Sequence, residues 1–389
     1  MITRILTQKI KEMSKKFPVL AILGPRQSGK TTLSQAVFTK HTYISFEDLE
    51  ARAFAQEDPK GFLEEYKNKY GIILDEIQHV PDMLSYIQVY VDREKQPGYF
   101  ILTGSQNFLI NQAITQTLAG RIAIFTLLPF CINELKKAKL LPEKINNLIF
   151  KGCYPRIYDQ NIAPTDWYPN YIRTYIERDV RQIKNVTNLT TFQRFIKLCA
   201  GRIGQLLNVS SLGSDCGIST GTAREWLSLL ETSYILFLLQ PHHKNFSKQQ
   251  MKAPKLYFYD TGLACSLLGI ETEQQVFSHY LRGGLFESFI LSELLKNQYN
   301  KGKRPGLFFW RDKYGHEVDG ILEKTTELIP IEIKAGQTIS PNFFDGIAYW
   351  SELAKQDPAK GCIIYAGDKN QKRKNGRVIG WQSTDKIFD

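Results

Sequence analysis

Residues 24–31 read Gly24-Pro25-Arg26-Gln27-Ser28-Gly29-Lys30-Thr31. An apolar run, Val19-Leu20-Ala21-Ile22-Leu23, comes before them, and Thr32-Leu33-Ser34-Gln35-Ala36-Val37-Phe38 comes after. The run reads as a buried strand and the following segment as the start of a helix. Strand, G-x-x-x-x-G-K-[ST], helix is the setting of a phosphate-binding loop. The glycines let the backbone curl so that successive N–H groups point at phosphate oxygens. The helix N-terminus adds its partial positive charge. On this reading Gly24 through Thr32 bind ATP. Lys30 reaches the β- and γ-phosphates, and the Thr31 hydroxyl ligates Mg2+.

A second motif supports the first. Gly71-Ile72-Ile73-Leu74-Asp75-Glu76 delivers two adjacent carboxylates at the C-terminal end of an apolar strand. That is where ligands sit in open α/β sheets. Asp75 is expected to hold Mg2+ and Glu76 to polarise the attacking water. Tyr99-Phe100-Ile101-Leu102-Thr103-Gly104-Ser105 reads as a further strand ending in small polar residues. Thr103 or Ser105 could contact the γ-phosphate or the water. Leu118-Ala119-Gly120-Arg121 closes a helix before the strand Ile122–Phe125. Arg121 is either an arginine finger for a neighbouring copy's phosphate, which implies a homo-oligomer, or a surface arginine at a helix end.

The whole chain sets outer bounds. At 389 residues it exceeds one typical domain, and its 43% hydrophobic content argues against disorder. A net charge of +11 favours a polyanionic partner such as nucleic acid, DNA above all. Six scattered cysteines without a C-x-x-C pair read as free thiols of a reducing cytoplasm. The basic, amphipathic start has no apolar core of a signal peptide, and no apolar run is long enough to span a bilayer. The expected boundaries are an ATPase domain over 1–165, a helical domain over 166–275 and a third domain over 276–389.

A helix is expected over 3–16, ahead of the loop, and in the middle region helices are expected over 167–183, 190–206, 209–217 and 220–230, the last capped by Ser219. Two strands, 235–240 and 255–259, enclose a loop with His242, His243, Lys244, Lys248 and Lys252. This is a helix-turn-helix followed by a wing. The second helix is poor in cations, since Glu225 and Glu231 offset Arg224. A basic wing on phosphates and a lid or protein interface both remain open for this domain.

The last third reads as Arg282-Gly283-Gly284 opening a helix over 285–299, then strands 306–311, 316–323 and 328–334, a helix over 342–355 and a strand over 362–366. Glu287 lies on the first helix and Asp319 in the second strand. Glu332 and Lys334 flank Ile333, so strand alternation puts both on one face. Two carboxylates can grip Mg2+ or Mn2+ through oxygen, and the lysine supplies further positive charge. Other acid-x-Lys triplets, such as Glu134-Leu135-Lys136, lack a preceding Asp-bearing strand. Without a metal, Glu332 and Lys334 would form an ion pair. The basic run Lys369, Lys372, Arg373, Lys374 and Arg377 is either a grip on DNA or a solvated hairpin tip.

Two resemblances follow from these residues. The set GPRQSGKTTL, IILDEIQHV, ILTGSQ, LAGR and LPF resembles an AAA+-type ATPase of a widespread prokaryotic kind that carries a C-terminal domain of unknown function. The likeness continues through Gly152–Pro155, Tyr175–Val180 and Lys255–Leu263, nearly the full length. It implies ATP binding and hydrolysis, and it implies that Pro155 lies near the adenine. The C-terminal order αβββαβ is similar to the restriction-endonuclease-like core of the PD-(D/E)xK superfamily. That likeness implies a nuclease site of Glu287, Asp319, Glu332 and Lys334, with Asp319 and Glu332 on the metal. The fold class expected is therefore α/β: an AAA+-type P-loop domain, a winged helix and a nuclease-like domain. The alternative is a nucleotide-dependent switch whose nuclease-like fold only binds a partner.

Overall fold

The computed structural model describes residues 2–104, 116–176, 188–242, 252–324 and 327–388. The chain forms two compact units. The first is Met1–Phe130 with Thr232–Tyr234 and Gln298–Lys303, and the second is Cys131–Glu231, Ile235–Asn297 and Arg304–Asp389.

In the first unit five strands form a parallel sheet: β1 (Val19–Leu23), β2 (Thr42–Ser45), β3 (Ile72–Asp75), β4 (Phe100–Gly104) and β5 (Ile122–Thr126). Their order across the sheet is β2-β3-β4-β1-β5. Alternate residues of each strand serve opposite faces. Val19, Ala21, Leu23, Leu74 and Leu102 pack with Phe62, Leu84 and Ile87 on one side. Leu20, Ile22, Ile73 and Ile101 pack with Leu6, Ile10 and Leu33 on the other. A sheet covered on both faces has no polar side, which is why every β1 residue is apolar and buried. The helix expected over 3–16 is confined to Leu6–Met13.

The second unit contains helices Pro164–Tyr171, Leu189–Ala200 and Val209–Cys216, and all but the last residue of helix Thr220–Thr232. The first begins at Pro164 rather than Trp167, because proline fits the first helical position. It carries Pro169 and passes into a π-helical turn at Ile172–Ile176. The helix expected over 190–206 stops at Ala200. Beyond it Gly204, at φ +78°, donates its N–H to Leu256 O at 2.8 Å, so the chain turns out of the helix to pair with a strand. Gly217, at φ +75°, ends the next helix, and the Ser219 hydroxyl accepts the Thr222 N–H at 3.0 Å as expected. Strands β6 (Leu236–Leu239) and β7 (Lys255–Phe258) pair antiparallel. His242 is a correction. Instead of standing in a basic wing it is buried, with Nε2 3.1 Å from Glu323. His243, Lys244 and Lys248, like Glu177–Val180, lie outside the described residues.

Helix Arg282–Asn300 opens the C-terminal part, followed by β8 (Leu307–Arg311), β9 (Glu317–Lys324) and β10 (Glu327–Lys334). Helix Asp345–Ala354, β11 (Cys362–Tyr365), β12 (Gln371–Arg373) and β13 (Gly376–Gly380) complete it. The sheet order is β12-β13-β11-β10-β9-β8, with β10 parallel to β11 and antiparallel to β9. The expected order of helix, three strands, helix and strand is present, and the β12–β13 hairpin extends it. Lys372 and Arg373 are exposed on β12. All six cysteines are buried and free. Among the described residues no helix is long and apolar enough to cross a membrane.

Candidate functional site

The carboxyl ends of β3, β4 and β1 lie side by side, and three sequence-predicted groups meet there. Gly24 leaves β1 at φ +154°, where an added Cβ would lie 2.2 Å from Leu127 O. Gly29, at φ +93°, hands the chain to the helix Lys30–Val37. Glycine is what these two positions tolerate. The buried Lys30 ammonium turns back on the loop and donates to Gly24 O at 3.1 Å and Pro25 O at 2.9 Å. Arg26 and Gln27 form the partly buried crest of the loop, and Thr32 is exposed in the first helical turn. The Ser28 hydroxyl is buried and has no hydrogen-bond partner among the described residues. An orphaned donor inside a glycine-rich loop fits a phosphate-bearing ligand.

Asp75 is the hub. The Thr31 hydroxyl lies 3.0 Å from both of its oxygens, the Tyr43 hydroxyl donates to it at 2.9 Å, and the Thr103 hydroxyl also donates to it. Burial first, and the adjacent Asp75 second, push the Tyr43 phenol up to about 12. A carboxylate beside a helix-start threonine is an all-oxygen pair suited to Mg2+. Glu76 follows at φ +58°, a left-handed conformation that non-glycine residues adopt at a cost of about 1 kcal/mol. The Gln78 amide donates to its carboxylate. Ser105 lies outside the described residues.

One further side chain belongs to this end of the sheet. Arg4 is buried and donates to Ser28 O at 2.7 Å and Leu128 O at 2.5 Å. It ties the phosphate loop to the segment after β5. Its partners are 24 and 124 residues away, so no local spacing announces it. Arg121 instead lies at the surface, where its guanidinium pairs with Asp92 of the same chain at 2.5 and 2.9 Å. Pro155 is the first residue of helix Pro155–Asp159 in the second unit.

The C-terminal residues form a second cluster, within the second unit. Asp319 stands where β9 departs from regularity. Phe308 pairs with Ile321 but Trp310 pairs with Val318, so Asp319 and Gly320 together face Phe309. Such a bulge re-aims side chains. The ladder between β9 and β10 ends at Gly320–Ile331, and the Asp319 carboxylate takes over by accepting the Ile333 N–H at 2.8 Å. Lys334 Nζ lies 2.6 Å from Glu332 and 3.8 Å from Asp319. Burial, then Asp319, pushes the Glu332 carboxyl up to about 9. Burial alone would lower Lys334, but Asp319 and Glu332 outweigh it and hold the ammonium above its ordinary range. Gly346, at the start of helix Asp345–Ala354, allows the fit: an added Cβ would lie 2.1 Å from Glu332 Oε1. A cavity of about 490 Å³ opens here, lined among others by Arg311, His316, Glu317, Asp319, Glu332 and Lys334.

Glu287 joins Asp319 from the helix side, through partners the sequence did not announce. One carboxylate oxygen from each of Glu287, Glu317 and Asp319 lies within 4.8 Å of the other two. Lys255 Nζ donates to Glu287 at 3.2 Å and more closely to Glu317, and the Tyr257 hydroxyl donates to Glu287. Arg311 also holds Glu317, at 3.0 Å. Burial and the Asp319 charge push the Glu287 carboxyl up to about 7. Burial alone would lower Lys255, but Glu287, Asp319 and Glu317 outweigh it and keep the ammonium charged. The alternation that joins Glu332 and Lys334 also pairs Glu317 with Asp319 and Lys255 with Tyr257. That signal was present in the sequence. What it lacked was the tertiary contact between β7 and β9. All donors here are carboxylate oxygens, which suit a hard divalent cation.

Comparisons with known proteins bear on the parts unequally. The family described as an AAA domain matches residues 16–136, and two families described only as domains of unknown function match residues 142–274 and 282–383. Residues 16–136 are thus an AAA-type P-loop ATPase domain. Two uncharacterized proteins, from Mycobacterium bovis and Mycobacterium tuberculosis, are each 28% identical over 355 residues, covering 90% of this chain and 77% of theirs. Among solved structures, the Walker-type ATPase of Pyrococcus abyssi is 14% identical, covers 69% of this chain and 96% of its own, and has a TM-score of 0.45. The RuvB Holliday junction branch migration motor of Thermotoga maritima is 17% identical over 60% of this chain and 88% of its own, with a TM-score of 0.32.

Proposed function

We propose that this chain binds and hydrolyses ATP with Mg2+ and acts on nucleic acid, and that its C-terminal cluster is a metal-dependent phosphodiesterase centre. The observation that carries the first part is Asp75, reached by Thr31 from the phosphate loop and by Thr103 from the neighbouring strand. Loop N–H groups from Gly24 to Thr32 would receive the phosphates, and Lys30 would exchange two carbonyls for phosphate oxygens. Thr31 and Asp75 would hold Mg2+, which when bound offsets the charge on the β- and γ-phosphates. Glu76 would orient water and take its proton, and Pro155 would contact the base.

In the C-terminal part Asp319 and Glu332 would hold Mg2+ or Mn2+, with Lys334 steadying the phosphodiester and Glu287 assisting. The helix pair Val209–Cys216 and Thr220–Thr232, followed by β6 and β7, supports a winged helix, and the net charge of +11 supports a DNA partner. We place the protein in the cytoplasm, with Arg121 serving a second copy. A second reading is favoured by one observation: Lys334 already satisfies Glu332 at 2.6 Å. On that reading the chain is an ATP-driven switch whose C-terminal fold binds a partner without cutting.

Linear, nicked, branched and single-stranded DNA, and RNA, incubated with Mn2+ and ATP separate the two. Cleavage beyond a Glu332→Ala control is expected. ATP turnover without cleavage of any form would leave the switch reading, and absence of ATP turnover would remove both.

A further inference from the structure

We propose that the Lys255 ammonium is a resident cation of the C-terminal centre, filling the space between Glu287, Glu317 and Asp319 that a divalent ion would otherwise take. The inference rests on the phosphodiesterase reading and deepens it, because it says which part of the centre can load a metal and which cannot.

Three oxygens within 4.8 Å of one another can all touch a single ion whose metal–oxygen bonds are about 2.0–2.6 Å long. Lys255 Nζ already contacts two of those carboxylates, Glu287 and Glu317. An ammonium and a divalent ion cannot share that space, since both need the same oxygens and each repels the other. The ammonium is not a loose surface group. Its side chain is 3% exposed, and Nζ stands 5.6 Å from the centre of the Phe309 ring.

The backbone that carries it is moored on two sides. The Gly204 N–H reaches Leu256 O at 2.8 Å, and the Leu256 N–H reaches Gln205 O at 3.1 Å. The Phe258 N–H meets the Ser288 hydroxyl at 3.0 Å. Tyr257, two residues along the same strand face, holds Glu287 in place. A buried ammonium is costly unless carboxylates surround it, and here they do. Lys255 therefore supplies positive charge that does not dissociate. The oxygens left for an exchangeable metal are those of Asp319 and Glu332, on the cavity side.

The test counts metal rather than activity. Full-length protein carrying Asp75→Asn, which disables the nucleotide-side metal site, is titrated with Mn2+ alone. Free Mn2+ is read by electron paramagnetic resonance and heat by calorimetry. Lys255→Ala and Lys255→Gln should each bind one Mn2+ more than the parent, and Lys255→Arg should bind the parent's number. Adding Glu317→Gln to Lys255→Ala should abolish the gain. A Lys255 variant that folds only once Mn2+ is present also supports the proposal. An unchanged count in folded Lys255→Ala and Lys255→Gln overturns it, as does a failure of both to fold at saturating Mn2+. Failure of the phosphodiesterase reading looks different. In that case the parent and Asp319→Ala bind the same number of ions, whatever Lys255→Ala does.

Discussion

The Thr31 hydroxyl stands 3.0 Å from each carboxylate oxygen of Asp75, across 44 residues of sequence. This contact joins the end of the phosphate loop to the end of β3. It places beside each other the two oxygen donors proposed for Mg2+. Lys30→Ala should raise the Kd for ATP by an order of magnitude or more, because the charge on the β- and γ-phosphates loses its cation. Glu76→Gln should bind ATP as the parent does and lose hydrolysis, since an amide cannot accept the proton of water. Nucleotide fluorescence titration and phosphate release measure the two effects separately. Wild-type turnover in Glu76→Gln would remove Glu76 from its role.

Arg121 bears on assembly. If it completes a neighbour's site, mixing Lys30→Ala protein with Arg121→Ala protein should restore part of the ATP turnover that each lacks. Some interfaces would then pair an intact loop with an intact arginine. The readout is phosphate release against mixing ratio, in an oligomer verified by sizing. No recovery would mean that Arg121 serves its Asp92 pair alone.

Asp319→Ala and Glu332→Ala should abolish nucleic-acid cleavage while leaving ATP turnover within about twofold, because additivity holds for independent sites. Lys334→Ala should slow cleavage severely yet keep metal binding. The Mn2+ concentration for half-maximal cleavage should rise in any carboxylate variant that retains activity. Gel-based cleavage over a Mn2+ series checks all of these.

Arg4 should matter to the loop rather than to the ligand. Arg4→Ala leaves two carbonyls without their charged donor and should cost about 2–3 kcal/mol of stability in denaturant unfolding. It should also weaken ATP binding by loosening the loop at Ser28. Arg4→Lys keeps the charge but cannot span both carbonyls, so its effect should be intermediate. Equal loss in the two variants would assign the effect to the two-carbonyl geometry, and a parent-like Arg4→Lys would assign it to charge alone.

His41 gives a pH signature away from either centre. Burial lowers its pKa below 6.5, and its hydrogen bond to Gly98 O at 2.9 Å offsets only part of this. The neutral ring is therefore favoured by folding. Its contribution is present above the unfolded pKa and is lost as pH falls through the lower, folded pKa. Thermal melts between about pH 7.5 and pH 5 should show a larger fall in Tm for the parent than for His41→Gln. Parallel curves would dismiss His41 as a contributor.

Much of this molecule is legible where one rule acts alone. The apolar run of β1 and the glycines of the loop after it follow from local requirements, and their bounds agree with the structure. Legibility fails where two segments compete. Nothing in residues 190–206 announces that Gly204 will leave the helix for Leu256, because the partner lies some 50 residues on. The acidic centre is half legible for the same reason. Asp319, Glu332 and Lys334 sit on neighbouring strands with a regular spacing. Lys255 and Glu317 are joined only when β7 is brought against β9, across 62 residues. His242 looked like one of a basic set by composition. Burial beside Glu323 gave it a different occupation.

The bulge in β9 makes the acidic centre depend on a count as well as on composition. In a regular ladder, parity alone decides which side of the sheet a residue serves, and a slip of one reverses every assignment. Here two residues, Asp319 and Gly320, answer to one, so the parity on either side of them is out of step. A chain that lost Gly320 would keep every acid and every lysine and still draw Asp319 into the ladder opposite Ile331, away from the Ile333 N–H that its carboxylate now accepts. Arithmetic is part of the site, and a relative that differs only in length between Glu317 and Ile321 is chemically a different protein.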